Sequence, residues 1–356
     1  MRRKLRILYV AYPLLPLSDD SCGGAEQVLL AIEREMRRRG HDTWVAAPEG
    51  SRLGGKRIAT SRPAAKVDDL ERCRQEQVAA IARAIEQANA VGAPFDLVHD
   101  HSGLAWQQAN GDGLPWLVTL HLPRSFYSTD MFGGRNVFFN CVSQAQAADF
   151  LGVAAMLSAV ENGIDAARFP LCQEKGDYLL WLGRVCQEKA PHLAIEAAAL
   201  AKMPLVVAGS VYPFSYHQDY FDRELAPRLV RGEAVELFHA PSRQEKIDLL
   251  ARARALFITS TAAETSSLVA MEAMACGTPV IALSKGALPE IMADGETGYV
   301  VESVEQMAKA AKSLPDIDPV ACRKRISERF SLKRTADQYE KLYWELSTTR
   351  GQRLAA

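Results

Sequence analysis

Ala255-Leu-Phe-Ile-Thr259-Ser-Thr-Ala-Ala-Glu264-Thr-Ser-Ser-Leu-Val-Ala-Met-Glu272-Ala-Met-Ala-Cys-Gly277-Thr-Pro-Val-Ile-Ala-Leu283 is the stretch that decides the fold. An apolar run at Ala255–Thr259 breaks into small and hydroxylated residues. A helical run follows over Ser267–Cys276, Gly277 turns the chain, and a second apolar run covers Pro279–Leu283. Strand, helix and strand in this order form a unit of a parallel sheet covered on both faces. The break before the helix makes an anion site, because free backbone N–H groups and the positive end of the helix dipole meet there. Glu264 and Glu272 flank seven residues. If both are helical they lie ~12 Å apart along the axis, with Glu272 about two turns in. They then grip two parts of an elongated ligand, with its phosphates between them. Alone, the same glutamates also read as ordinary residues of a helix start and an exposed helix face.

Working outward, short apolar strands alternate with amphipathic helices along the whole chain. The first half reads strand Leu5–Ala11, helix Ala25–Arg39, strand Thr43–Ala47, helix Asp69–Gln87 and strand Asp96–His99. Helix Leu104–Asn110, strands Trp116–His121 and Val137–Val142, and helix Gln144–Phe150 complete it. The second half reads strand Tyr178–Gly183, helix Pro191–Ala201, strand Leu205–Ala208, helix Asp219–Arg231 and strand Val235–Phe238. Helix Arg243–Ala253, the opening stretch, and strand Tyr299–Val301 follow. This is a doubly wound α/β pattern repeated twice, with the break in the polar stretch Asn162–Lys175. We expect domains at 1–165 and 166–332. A last helix, about Lys333–Ser347, carries Tyr339, Leu342, Tyr343 and Leu346 on one face and crosses back to the first domain. In such folds ligands bind at the carboxyl ends of the strands, here expected in a cleft between the two domains.

Composition sets bounds on function. The chain has 356 residues, 48% hydrophobic and 24% charged, with a net charge of −1. That is a two-domain soluble protein without the basic excess of a nucleic-acid binder. Seven scattered cysteines include no C-x-x-C pair, so neither zinc nor a disulfide framework is indicated, and a cytoplasmic location is expected. The basic, apolar N-terminus imitates a signal peptide, but Pro13, Pro16, Asp19 and Asp20 follow it without a small-residue cleavage pattern. No run approaches the ~20 apolar residues of a membrane span. Arg34, Arg37, Arg38 and Arg39 leave peripheral membrane contact open, although cations before Gly40 simply complement a helix end.

The strand ends carry the unusual residues. Gly23-Gly24 bares the backbone before a helix, without a Walker loop or a G-x-G-x-x-G fingerprint. His121 ends one strand, and His99, Asp100 and His101 end another. Metal-ligand spacing is missing, so hydrogen bonding to substrate is favoured, with His121 first. Gly183-Arg184 and Lys189 bring two cations to a strand end ahead of a helix. There Arg supplies a fork and Lys a point charge for a pyrophosphate. In Lys285-Gly286-Ala-Leu-Pro-Glu290, after the strand that follows the carboxylate helix, another glycine is expected to face the cleft, and Asp294-Gly-Glu-Thr-Gly298 is a plain turn.

Gly23-Gly-Ala-Glu26, Asn162-Gly-Ile-Asp165, Gly183-Arg184, Glu188-Lys189 and Glu264-x7-Glu272 stand in one order, the last continuing into Ala-Met-Ala-Cys-Gly-Thr-Pro-Val280. Together they resemble the family-4 glycosyltransferases. The resemblance implies two doubly wound Rossmann-like domains facing a central cleft (GT-B), a retaining reaction and no metal. It implies that Arg184 and Lys189 bind the diphosphate of a nucleotide sugar, Glu272 the ribose hydroxyls and Glu264 the donor sugar. The amides of Ser267, Leu268 and Val269 contact sugar and phosphate beside Gly183. Gly23 and Gly24 belong to a loop closing over donor and acceptor, and His121 stands near the transferred sugar. The nucleotide sugar is a co-substrate, so no cofactor is expected. UDP-sugars are favoured, GDP-sugars next, with a sugar, lipid-linked or small-molecule hydroxyl as acceptor. The family commonly has Phe-Gly where this chain has Ser266-Ser267, and a Gly where it has Ala240, which leaves donor sugar and base open. Pro13–Cys22 and Pro123–Arg135 are expected to shape the acceptor pocket, and Phe126, Tyr127, Met131 and Phe132 read equally as stacking on a sugar or small aglycone and as packing on each other. Two rivals stand beside transfer: a nucleotide-sugar epimerase of the same architecture, and an inactive nucleotide-sugar-binding protein.

Overall fold

The computed structural model describes residues 3–21, 23–63, 69–108, 113–134, 136–212, 214–230, 234–314 and 317–354. Cys22 and Arg135, at the ends of the two expected acceptor loops, lie outside them. The chain forms two compact units, Met1–Asn162 with Leu332–Ala356, and Gly163–Ser331.

The first unit holds β1 (Arg6–Val10), β2 (Asp42–Ala47), β3 (Lys56–Ala59), β4 (Leu97–Asp100), β5 (Trp116–Leu120) and β6 (Val137–Cys141), in sheet order β3-β2-β1-β4-β5-β6. The second holds β7 (Leu179–Arg184), β8 (Leu205–Ser210), β9 (Val235–His239), β10 (Ala255–Ile258), β11 (Val280–Leu283) and β12 (Gly298–Val301), in order β12-β11-β10-β7-β8-β9. All pairings are parallel. Each sheet reverses its winding beside its first strand, at β1/β4 and at β7/β10, which are the ligand-binding crevices of this topology. β4, β10 and β11 are buried at every residue, which is why they read as unbroken apolar runs rather than alternating ones.

Three elements differ from expectation. β3 went unseen because Lys56-Arg-Ile-Ala59 is an exposed edge strand, where charged residues guard the sheet edge. The helix expected at Leu104–Asn110 is a 3-10 turn, Ala105–Gln108, with residues 109 and 110 outside the described set. The Asp100 carboxylate accepts from the N–H groups of Ser102 (2.7 Å) and Trp106 (2.9 Å) and tightens this turn. The helix expected at Asp219–Arg231 starts at Ser215 and carries a π turn at Phe221–Leu225. Two further helices, Val304–Lys312 and Pro319–Arg329, start on Ser303 and Asp318 caps.

The helix Leu332–Leu354 belongs to the first unit and buries Tyr339, Tyr343 and Leu346. Arg39 pins it, reaching Glu340 at 2.6 Å and Asp337 at 2.7 Å, while also holding Glu35 at 2.9 Å. The arginines at the end of the first helix spend their charge on carboxylates, Arg34 on Asp19, Arg37 on Glu33 and Arg38 on Glu35. A hydrogen bond from Arg38 lowers the Glu35 carboxyl from its ordinary value, and one from Lys333 does the same for Asp337. Burial works to raise Glu340, and hydrogen bonds from His41 and Arg39 outweigh it. Depressed folded values give stability that is full above the unfolded range, about 4, and lost as pH falls through the folded values. The thermal stability of the wild type is expected to fall below about pH 4. Arg39→Ala should flatten that fall; an unchanged pH slope in the variant refutes the assignment.

Candidate active site

The β7/β10 end of the second sheet brings Arg184, Lys189 and Glu264 to one place. β7 ends on Gly183-Arg184. The loop after it is clamped by Thr259, whose hydroxyl accepts from Trp181 Nε1 (3.1 Å) and faces the carbonyls of Lys189 (3.0 Å) and Ala190 (2.9 Å). The N–H of Thr261 donates to the Glu188 carbonyl at 2.9 Å. So clamped, Lys189 places Nζ 2.5 Å from Glu264 Oε1, and the Ser260 hydroxyl donates to the same oxygen. Glu264 is 8% exposed. Its carbonyl accepts from Ala287 N–H at 2.7 Å, and Gly286, at φ +59°, lies flat on its backbone.

The two glutamates do not share a helix. The helix is Leu268–Ala275, so Glu264 lies in the loop before it and Glu272 is its fifth residue, less than the expected two turns in. Glu272 is buried and takes Lys246 Nζ on both oxygens, at 2.7 and 2.8 Å. Lys246 comes from the helix Arg243–Arg252, which a Ser242–Glu245 capping box starts. Nothing in the sequence marked Lys246, because its pairing is made only in three dimensions. Ser267 precedes the helix at φ −122°, extended backbone that any residue adopts, so no glycine is needed there. Its neighbour Ser266 has a buried hydroxyl with no protein partner. Leu268 and Val269 are half-buried against the apolar core.

Arg184 is exposed, its guanidinium 5.7 Å from the Tyr212 ring centre. Gly183 is not the glycine this strand end requires, since a side chain there meets only the Trp181 ring at 3.4 Å. The required one is Gly209 on β8, where a Cβ falls 1.9 Å from the Gly183 carbonyl oxygen. Ala240, after β9, has a φ of +49°, the left-handed region where glycine is cost-free and alanine loses about 1–2 kcal/mol. Cys186 and Glu188, two apart in the loop after β7, and His217, from the helix Ser215–Tyr220, bring three possible ligand atoms within 4.8 Å of one another. Burial raises the Cys186 thiol, and both burial and the Arg184 charge lower His217. Arg184 opposes a bare dication here.

In the first unit, Gly23 caps the helix Gly24–Arg38 and the Glu26 carboxylate folds over it. His121 follows β5. Its Nε2 lies 3.0 Å from His101 Nδ1, and His101 Nε2 lies 3.3 Å from His99 Nδ1. The structure corrects three of the substrate contacts expected here. Asp100 spends its carboxylate on Ser102 and Trp106, and His99 and His101 are buried behind His121. Tyr127, Phe132 and Phe150 pack on one another, so Tyr127 and Phe132 serve the core, while Phe126 is 63% exposed.

A family model described as "Glycosyl transferases group 1" matches residues 165–329, and one described as "Glycosyltransferase Family 4" matches 22–168. Among curated relatives, D-inositol 3-phosphate glycosyltransferase of Thermobifida fusca is 26% identical over 61% of this chain and 60% of its own length. Glycogen synthase of Mycobacterium tuberculosis is 32% identical over 56% of this chain and 50% of its own. The chain thus spans little more than half the length of these relatives. Among solved structures, sucrose-phosphate synthase from Thermosynechococcus elongatus superposes with a TM-score of 0.78 at 19% identity, covering 97% of this chain and 100% of that one. An Anabaena protein crystallised with UDP-glucose gives 0.72 at 18%, covering 96% and 100%. At those identities the structures show the fold. With both units matched, in sequence and in sheet topology, the chain belongs to the family-4 type of glycosyltransferases of GT-B architecture.

Proposed function

We propose that the protein transfers a sugar from a nucleotide diphosphate sugar, UDP-linked first and GDP-linked next, to an acceptor hydroxyl with retained anomeric configuration. The observation that carries this reading is the pair of lysine–carboxylate contacts, Lys189–Glu264 and Lys246–Glu272, beside Arg184 at the β7/β10 switch point. The bond from the anomeric carbon to the diphosphate oxygen breaks, and its electron pair leaves with the diphosphate. The acceptor oxygen attacks from the same face and gives its proton to that leaving oxygen. Arg184, Lys189 and the amides at Ser267–Val269 stabilise the departing charge, and fixed donors of this kind supply the largest catalytic term in many enzymes. Glu272 holds ribose hydroxyls, Glu264 the sugar, and His121 meets the transferred sugar. The solved Anabaena relative holds UDP-glucose, which supports the donor class. The test is a thermal-shift and hydrolysis panel of UDP-, GDP-, ADP- and dTDP-sugars. Stabilisation by one base series with slow sugar release is expected. Stabilisation without turnover against any acceptor or water would make the chain a binding protein, and release of an epimerised sugar would make it an epimerase.

A further inference from the structure

The chain leaves β7 and β8 side by side, with the Val185 N–H on the Ser210 carbonyl at 3.0 Å. One connection carries Cys186 and Glu188, and the other carries His217 on the helix Ser215–Tyr220. The Cys186 thiol, a Glu188 carboxylate oxygen and a His217 ring nitrogen all lie within 4.8 Å of one another. Cys186 is fully buried and His217 is 1% exposed, while Glu188 reaches solvent. His217 Nδ1 is buried without a hydrogen-bond partner among the described residues. Leaving a buried polar atom unmet destabilises a fold, and a ligand that meets it recovers the loss.

The three groups select the ligand by their chemistry. Burial and then the Arg184 charge keep His217 neutral, so its ring presents a lone pair. The Cys186 thiol stands 3.5 Å from the Arg184 carbonyl and hydrogen-bonds the Glu188 carboxylate. Thiol, imidazole and carboxylate together are zinc donors, whereas magnesium and calcium take oxygen ligands. Donors around a tetrahedral zinc stand roughly 3.3–3.7 Å apart. A turn of the exposed Glu188 side chain brings the set to that spacing. Behind it the rings of Tyr212, Phe214 and Tyr216 lie 6.0, 5.2 and 4.3 Å from the His217 ring. An apolar wall of this kind holds ligands in place and limits water.

We propose that Cys186, Glu188 and His217 form a zinc site, with three protein ligands and a fourth position left to water. On binding, the Cys186 S–H bond breaks, its electron pair forms the bond to zinc, and the proton leaves to solvent. One dication, one thiolate, one carboxylate and a neutral imidazole sum to zero charge, so Arg184 faces no excess of its own sign. The ion ties the connection after β7 to the one after β8. Arg184 and Lys189 lie in that first connection, so the ion fixes the turn that presents them. The site stands apart from the proposed function, and no step of the transfer runs through it.

Full-length protein, reduced and stripped with a chelator, is titrated with zinc against a chromophoric competitor. One equivalent should bind, undisturbed by a large excess of magnesium. Cys186→Ser and His217→Gln should each weaken binding by about 100-fold or more, and Glu188→Gln, whose place water can take, by about tenfold. Cys172→Ser, a half-buried cysteine elsewhere, should leave it unchanged. Zinc should raise the melting temperature of the wild type and not that of Cys186→Ser. Cobalt in place of zinc should give the wild type a thiolate-to-metal charge-transfer band, a readout that needs no variant to fold. A stripped wild type that takes up no zinc overturns the proposal. So does bound cobalt without the thiolate band, or a Cys186→Ser protein that keeps its zinc affinity. A wild type that turns over no nucleotide sugar overturns the proposed function, while the titration still decides the zinc site.

Discussion

Arg184→Ala is expected to lose sugar transfer by about 10²-fold or more while unfolding at the wild-type temperature. The first half follows from removing one charge-stabilising donor at a leaving group. The second follows from exposure: the guanidinium lies on the surface over Tyr212, and surface substitutions away from caps and cores cost little. Lys189→Ala should lose transfer by a similar factor but behave differently on heating. It strips the cation from Glu264, a carboxylate only 8% exposed, and leaves a buried charge uncompensated. Lys189→Ala combined with Glu264→Gln should recover part of that stability and none of the transfer. Steady-state rates beside calorimetric scans of the four proteins make the comparison. Near-native turnover in both single variants would sink the proposed mechanism.

Gly286→Ala should destabilise the second unit by about 3 kcal/mol and abolish donor binding. The left-handed backbone at φ +59° costs an alanine about 1–2 kcal/mol. The added Cβ also falls 2.2 Å from the Glu264 carbonyl oxygen and 2.6 Å from its nitrogen, and overpacking costs typically ~1–3 kcal/mol more. Because the atoms that must yield are the backbone of Glu264, relief moves the carboxylate itself. Alanine at Gly295 has the same backbone cost, at φ +74°, but meets nothing within 4 Å, which makes it the control. Equal denaturation midpoints for the two variants would show that the contact at Glu264 is slack.

The two-sheet architecture was legible because parallel strands buried on both faces must be apolar throughout, as Ala255–Ile258 and Val280–Leu283 are. β3 was not, since an edge strand such as Lys56–Ala59 makes few demands on side chains. Within the site, Lys189 showed through its position after a strand end, and the two glutamates through their spacing across the loop and helix that follow β10. Lys246 and Ser260 did not, because a surface lysine on a helix and a serine in a loop look the same with or without a partner. Gly183 drew attention as the glycine beside Arg184, yet the pairing of β7 with β8 puts the steric demand on Gly209 opposite it. Thr259 looked like the last residue of a strand, and its hydroxyl holds the Lys189 loop.

The pairing of each site lysine with its own carboxylate has a consequence for selectivity. With Lys189 and Lys246 already resting against Glu264 and Glu272, neither lysine is open to a lone anion such as phosphate or sulfate. Such an anion would have to part a hydrogen-bonded couple and leave a buried carboxylate behind, a loss that one new contact does not make good. On the proposed reading, a nucleotide sugar brings its own remedy. Its phosphates take up the freed lysine while its hydroxyls donate to the released carboxylates. The crevice is then a lock with two wards that must be turned together, and only a ligand carrying both kinds of group turns them.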